Sequence, residues 1–200
     1  MTQSRSLLLL SGGIDSAAVA AWRGCDGALT IDYGQTPAVG EIRAARAIAE
    51  ALGVDHSIVK VDARAIGAGM LASRPVPIEG IAPEWWPFRN QLLVTIASSY
   101  AIGNGFGVVM VGSVAEDGAR HIDGSSEFYA VLDELERMQE GGIRVLAPAA
   151  HLSGRELLLK SGLSREVLGW CHSCHRADFA CGDCPGCWKR AELLGLLDTP

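Results

Sequence analysis

Residues 6–16 read SLLLLSGGIDS, and this stretch decides the fold. Its first part, Ser6–Leu10, is a short continuous apolar run, which is typical of a parallel strand that is buried on both faces. A glycine pair follows directly, and the alanine-rich segment Ile14–Arg23 then predicts a helix. A strand that passes through a glycine turn into a helix is the opening unit of an α/β fold.

The rest of the chain repeats this alternation. We predict further strands at Ala28–Tyr33, His56–Val61, Val108–Val111 and Ile143–Leu146. Between and after them we predict helices at Val39–Leu52, Asn90–Ile102, Ser126–Gln139 and Ser153–Lys160. The pattern predicts an α/β, Rossmann-like parallel sheet with helices on both faces, and ligands in such folds bind at the carboxyl ends of the strands.

Composition limits the class of protein. The chain has 200 residues, of which 48% are hydrophobic and 20% charged, so we expect one folded domain with at most a small appendage. The net charge of −6 makes nucleic acid and anionic membranes unlikely as main partners. No apolar run approaches the roughly 18 residues of a membrane span, and the first leucines are too few for a signal peptide, so we expect a cytoplasmic protein.

The loop after the first strand has the composition of a phosphate site. Gly12 and Gly13 let the backbone approach a ligand, and the amide groups at the start of the following helix favour an anion. Ser11 and Ser16 add hydroxyl donors, while Asp15 can orient the loop or approach a phosphate-bound Mg²⁺. The loop has no Walker lysine, so it is not the usual P-loop. A plain strand–helix turn is the alternative interpretation.

The cysteines indicate a metal site near the C-terminus. Five of the six lie in the segment 171–187, and disulfides are disfavoured in a reducing cytosol. Three of the five stand at two-residue gaps, at Cys181, Cys184 and Cys187. Such gaps let thiolates reach one tetrahedral ion at about 2.3 Å. The candidates for the fourth ligand are Cys174 or Cys171 and, less strongly, His172 and His175. Four sulfurs would form a closed structural zinc site, although an iron–sulfur cluster has compatible spacing.

Several of these motifs resemble one known group of enzymes. Ser11–Ser16 is similar to the pyrophosphate loop of the N-type ATP pyrophosphatases, the PP-loop family, which cleave ATP between the α and β phosphates. The D-Y-G-Q segment at residues 32–35 resembles the QueC branch, the 7-cyano-7-deazaguanine synthases. So do the P-x-R-N segment within residues 86–90 and the cysteine cluster, in which Cys174 precedes the C-G-x-C-x-x-C motif of 181–187.

The resemblance implies a role for each matched residue. It assigns to ATP and Mg²⁺ the residues Ser11, Gly12, Gly13, Asp15, Ser16, Tyr33, Gly34, Gln35 and Arg155. It assigns to the deazaguanine substrate the residues Arg89, Asn90, Asp117 and Asp123, with Asn90 also a candidate helix cap. The residues that it implies for catalysis are Ser11, Asp15, Ser16 and Arg89. The zinc ligands that it implies are Cys174, Cys181, Cys184 and Cys187.

The chain also departs from the family pattern. Gly118–Ser125 lacks the family's Y-S-G-Y-P-D-C-R signature, of which only Asp117 and Asp123 clearly keep their places. Gly154 stands where the family usually has a lysine, and Arg155 follows it. Trp85 and Trp86 are expected to stack on a flat, purine-like ligand or to form an exposed edge for a partner.

The resemblance implies a PP-loop, adenine nucleotide alpha hydrolase-like domain over residues 1–168 and a four-cysteine zinc-binding tail with a terminal helix over 169–200. The implied enzyme adenylates 7-carboxy-7-deazaguanine, amidates it with ammonia and dehydrates the amide to the nitrile preQ₀. One alternative is a QueC-like antiphage enzyme that couples the activated deazaguanine to an amine of a partner protein. Another is a non-catalytic zinc module that binds nucleotide. The family also implies a homodimer.

Overall fold

The fold is built on one parallel sheet, seen in a computed structural model that describes residues 4–195. Its strands are β1 Ser6–Leu9, β2 Gly27–Asp32, β3 His56–Lys60, β4 Val108–Met110 and β5 Arg144–Leu146. They lie in the order β3-β2-β1-β4-β5, and every neighbouring pair is parallel. The predicted Rossmann-like α/β fold is therefore confirmed.

The helices follow the strands along the chain. They are α1 Ile14–Arg23, α2 Ala38–Leu52, α3 Arg89–Gly103, α4 Ala115–Arg120, α5 Ser126–Arg137, α6 Gly154–Ser161, α7 Arg165–Trp170 and α8 Pro185–Gly195. The bounds of α1 are those predicted, and the other predicted helices differ by no more than two residues at either end. Helices α4 and α7 were not predicted, because six residues hold too few turns to show a periodic pattern.

Alternating side chains of β1 place helices on both faces of the sheet. Leu8 packs in one core with Ala17 of α1 and Ala45 of α2, and all three are fully buried. Leu7 points to the opposite face, where it shares a second core with Ala97 of α3. Because successive side chains of a strand point to opposite faces, a continuous run of leucines requires this two-sided cover.

The strand order creates the place for a ligand. The chain goes from β1 outward to β2 and β3, then returns to the other side of β1 as β4 and β5. The order therefore reverses between β1 and β4, and ligands of open α/β sheets bind at that point, beyond the carboxyl ends of the strands. The loop at 11–13 and the segment at 111–114 both leave the sheet there.

The proline-rich segment before α3 packs into the core. Trp86 is only 2% exposed and meets Tyr33 edge-on, with ring centroids 4.9 Å apart. The expectation that Trp86 stacks on a ligand or forms a partner edge is therefore wrong, because its indole already fills the space beside α3. Trp85 is half-buried.

The cysteine-rich tail packs on the rest of the fold. Leu193 of α8 joins the core that contains α1 and α6. The division into 1–168 and 169–200 stays a prediction, and its outer ends, 1–3 and 196–200, lie outside the described residues. Within residues 4–195, no helix has the length and apolar character needed to cross a membrane.

Candidate nucleotide site and cysteine cluster

The loop after β1 holds its two serines close together. The Oγ atoms of Ser11 and Ser16 lie 3.2 Å apart, and Ser16 Oγ donates to the carbonyl of Gly13 at 3.0 Å. Gly13 is the residue before α1, and no side chain caps the helix there. The first backbone N–H groups of α1 are therefore available to a ligand. Free amide groups at a helix N-terminus and paired hydroxyls can together bind an anion such as phosphate.

Gly12 is required by both its conformation and its surroundings. Its φ is +83°, and a Cβ at this position would lie 2.6 Å from the carbonyl oxygen of Glu41 in α2. On the other side of the loop, a Cβ on Gly112 would lie 2.7 Å from Ser16 Cα. The loop is therefore held tightly between α2 and the end of β4, which fixes the direction of its amide groups.

A half-buried ion-pair network lies at the start of α1. Lys189 Nζ donates to Asp15 Oδ2 at 2.8 Å and to Asp117 Oδ1 at 3.1 Å. The other oxygen of Asp15, Oδ1, is buried with no hydrogen-bond partner in the structure. Burial opposes the charge on Lys189, but the two carboxylates outweigh it and raise the pKa of its ammonium. Lys189 was not among the predicted site residues. Its one mark in the sequence is that it is a basic residue two positions after Cys187.

The segment after β2 forms a closed hydrogen-bond network. The amide of Gln35 accepts from the backbone N–H of Tyr33 at 2.9 Å and donates to Glu41 Oε2 at 2.7 Å. Burial raises the pKa of Glu41 to about 7. Burial also raises the pKa of Tyr33, against an opposing contact from Arg89. Gly34 turns the chain at φ +92°. The placement of these residues next to the loop follows from the neighbouring positions of β1 and β2.

The first turn of α3 meets the 3₁₀ turn at 122–124. Asn90 Nδ2 donates to the carbonyl of Asp123 at 2.8 Å, and Asp123 Oδ2 accepts from the backbone N–H of Asn90 at 3.3 Å. The expectation that Asn90 caps α3 is wrong, because the helix begins at Arg89 after Phe88 and has no side-chain cap. Arg89 and Asp123 line the same small recess, together with Glu84, Trp85, Trp86 and His121.

The start of α6 also borders this site. The backbone N–H of Gly154 donates to the carboxylate of Glu116 at 3.1 Å, and a Cβ on Gly154 would lie 3.6 Å from Asp15 Oδ1. Arg155 is exposed. Its assignment to ATP stays a prediction.

Four cysteine sulfurs converge in the tail. The Sγ atoms all lie within 4.8 Å of one another and belong to Cys174, Cys181, Cys184 and Cys187. Cys181 Sγ and Cys187 Sγ are 3.9 Å apart, close to the roughly 3.8 Å edge of a tetrahedron with Zn–S bonds of about 2.3 Å. The donor set and its spacing thus fit a tetrahedral zinc ion.

Backbone N–H groups surround the cluster and distinguish Cys174 from Cys171. Burial acts against a thiolate at Cys174, but N–H groups that include that of Arg176 lower its pKa to about 7. Cys171 lies outside the cluster, where its Sγ faces the carbonyl of Val167 at 3.6 Å. Burial raises the pKa of Cys171 to about 12, which keeps it a thiol. The geometry thus favours Cys174 where the spacing left the choice open.

These features define a class of protein: a Rossmann-like α/β domain with a candidate phosphate loop at the reversal point of its sheet and a four-cysteine cluster beside it. Comparison with protein families is more specific. The family described as "Queuosine biosynthesis protein QueC" matches residues 5–196. The chain belongs to the QueC family.

Curated relatives agree with this assignment over nearly their full length. A 7-cyano-7-deazaguanine synthase from Pseudomonas aeruginosa (strain LESB58) is 31% identical, with 100% of this chain and 99% of the relative covered. The enzyme of the same name from Methanothermobacter thermautotrophicus is 32% identical, with 97% of each chain covered. Among solved structures, an NMN synthetase from Francisella tularensis has a TM-score of 0.50 at 16% identity, covering 98% of this chain and 78% of that one, which supports the fold alone.

Proposed function

We propose that this chain is an ATP-dependent ligase that converts 7-carboxy-7-deazaguanine into 7-cyano-7-deazaguanine. The observation that carries the proposal is the Ser11–Ser16 loop, which lies at the reversal point of the sheet in a chain that matches the QueC family from residue 5 to residue 196. The relatives named as 7-cyano-7-deazaguanine synthases support the substrate class.

The proposed reaction has two adenylation steps. The carboxylate of the substrate attacks the α-phosphate of ATP, pyrophosphate leaves, and an acyl adenylate forms. Ammonia then displaces AMP and gives the amide, with release of a proton. The amide oxygen attacks a second ATP in the same way and releases a second pyrophosphate. Loss of AMP and of both protons of the amide nitrogen then leaves the nitrile. Each oxygen of the original carboxylate departs on one AMP.

The protein's task in this scheme is to position reactants and to balance charge. The amide groups of the loop, Ser11 and Ser16 would bind the phosphates. Arg89 would neutralise the adenylate, and Asp123 would accept N–H groups from the edge of the base. No side chain has to act as a nucleophile.

The chain has candidate ligands for two metal ions, one at the phosphate loop and one in the cysteine cluster. Mg²⁺ would be bound by Asp15, whose buried Oδ1 lacks a partner, and when bound it would neutralise phosphate charge. Zinc would be bound by the four cysteines, which leave no open position and so suit a structural role.

The test is mass spectrometry of a reaction that contains zinc-loaded protein, Mg·ATP, 7-carboxy-7-deazaguanine and ammonium. Nitrile together with AMP and pyrophosphate is the expected result. Ser16→Ala should lower nitrile formation at least tenfold. Ser161→Ala is the matched control, because Ser16 and Ser161 each donate to a carbonyl three residues earlier. Ser161 lies at the end of α6, outside the loop, so its loss should leave the rate within twofold.

Other product patterns would redirect the proposal. AMP without nitrile would indicate another acceptor, such as an amine of a partner protein. Absence of AMP would leave a nucleotide-binding module. We include in the proposal a homodimer, which light scattering would test, and a cytoplasmic location.

A further inference from the structure

The candidate phosphate loop lies in an acidic environment. Asp15 is in the first turn of α1, and Asp117 and Glu116 lie in the first turn of α4. Asp15 and Asp117 both contact Lys189 Nζ, and Glu116 accepts from the backbone N–H of Gly154, which lies beside Asp15. Uncompensated carboxylates would repel a triphosphate at this distance. A cationic side chain beside these carboxylates would reduce that repulsion in addition to any Mg²⁺ bound with ATP.

Lys189 is that cation among the described residues. Its Nζ bonds to both Asp15 and Asp117, at 2.8 and 3.1 Å. An ammonium group has three N–H donors, and these contacts use two of them. The side chain is 33% exposed, and its contacts with the two carboxylates leave one N–H for a further partner.

We propose that Lys189 is a further phosphate-binding residue of the ATP site, which offsets the charge of Asp15 and Asp117 and donates its remaining N–H to a phosphate oxygen. The inference rests on the proposed function. It also gives α8 a direct part in nucleotide binding, because Lys189 lies on the same helix as Cys187.

The test is isothermal titration calorimetry with Mg·ATP alone. Lys189→Met should weaken ATP binding at least tenfold. Lys160→Met is the control, because Lys160 is an exposed cation near the end of α6. It should bind ATP within twofold of the unaltered protein. Thermal melting and zinc content, measured on each variant, show whether the fold and the cluster survive.

A second variant restores the charge from another position. A side chain on Gly154 would start 3.6 Å from Asp15 Oδ1, so Gly154→Lys can place an ammonium near the same carboxylates. In the Lys189→Met background, Gly154→Lys should raise the affinity for ATP at least threefold above that of Lys189→Met alone. If Lys189→Met alone does not fold, the ATP affinity of the folded double variant tests the inference instead.

The outcomes separate this inference from the proposed function. If the unaltered protein binds ATP and Lys189→Met binds it within twofold, Lys189 is only a structural ion pair and the inference fails alone. If the relocated lysine recovers nothing, the inference is also rejected. If the unaltered protein does not bind ATP, both proposals fail.

Discussion

The backbone N–H of His172 donates a hydrogen bond to the carbonyl of Gly12 at 2.8 Å. This bond joins the segment that leads into the cysteine cluster to the centre of the candidate phosphate loop. Ser173 lies near the same loop, since a Cβ built on Gly13 would be 3.7 Å from Ser173 Oγ. The cluster is therefore positioned to hold the loop in place.

Metal content should depend on Cys174 and not on Cys171. Cys174→Ser should retain less than about a tenth of the zinc of the unaltered protein and should lower the melting temperature by roughly 10 °C, as expected for a loss of several kcal/mol. Cys171→Ser should keep about one zinc per chain, since its sulfur lies outside the cluster. Elemental analysis of both purified variants measures this. Equal loss of zinc from the two variants would contradict the arrangement.

Gly12→Ala should destabilise the protein by roughly 3 kcal/mol or more, because it adds a backbone clash to an unfavourable φ. Gly53→Ala is the matched control. Its φ is +67°, but nothing lies within 4 Å of a Cβ there, so only about 1 kcal/mol should be lost. Urea unfolding gives both free energies, and a cost for Gly12→Ala no larger than that of the control would show that the loop can move away from α2.

Glu41 should make stability fall as the pH rises through neutrality. Its pKa is raised from 4.5 to about 7, so between these values the folded state holds a proton that the unfolded state has lost. The stabilising contribution is complete below pH 4.5 and disappears as the pH passes 7. The difference amounts to about 3 kcal/mol.

Glu41→Gln isolates this effect. The substituted amide can still accept from Gln35 but does not titrate. The free energy of unfolding of the unaltered protein, relative to this variant, should therefore decrease between pH 5 and pH 8 in urea titrations at several pH values. Parallel pH curves for the two proteins would mean that Glu41 ionises normally.

Trp86→Ala should cost about 3–5 kcal/mol of stability, since it removes a large side chain that is 2% exposed and packed on Tyr33. Trp85→Ala should cost clearly less, because Trp85 is only half-buried. Chemical denaturation of the two variants compares them directly. A larger loss at Trp85 would reverse the packing described for this segment.

The regular elements could be predicted from the sequence because local patterns determine them. The buried run at Leu7–Leu10, the glycine turn and the alanine-rich α1 are each readable within a few residues. Cys181, Cys184 and Cys187 share two-residue gaps, so their convergence was also readable. These features depend on short-range geometry.

The rest depended on contacts between distant parts of the chain. Lys189 meets Asp15 across 174 positions, and no local pattern marks such a pair. Spacing could not choose between Cys171 and Cys174, because the choice depends on how the tail folds back over the loop. The burial of Trp86 could not be predicted either, because it comes from contacts with α3 and with Tyr33, which follows β2.

The contact between Asp15 and Lys189 has a consequence for how the chain is made. Lys189 follows Asp15 by 174 positions, so a ribosome must add all of these residues after the loop before this contact can form. A nascent or prematurely terminated chain has the sheet's first strands and the glycine turn but lacks their last cationic partner. Translation thus sets the moment at which this ion pair first exists.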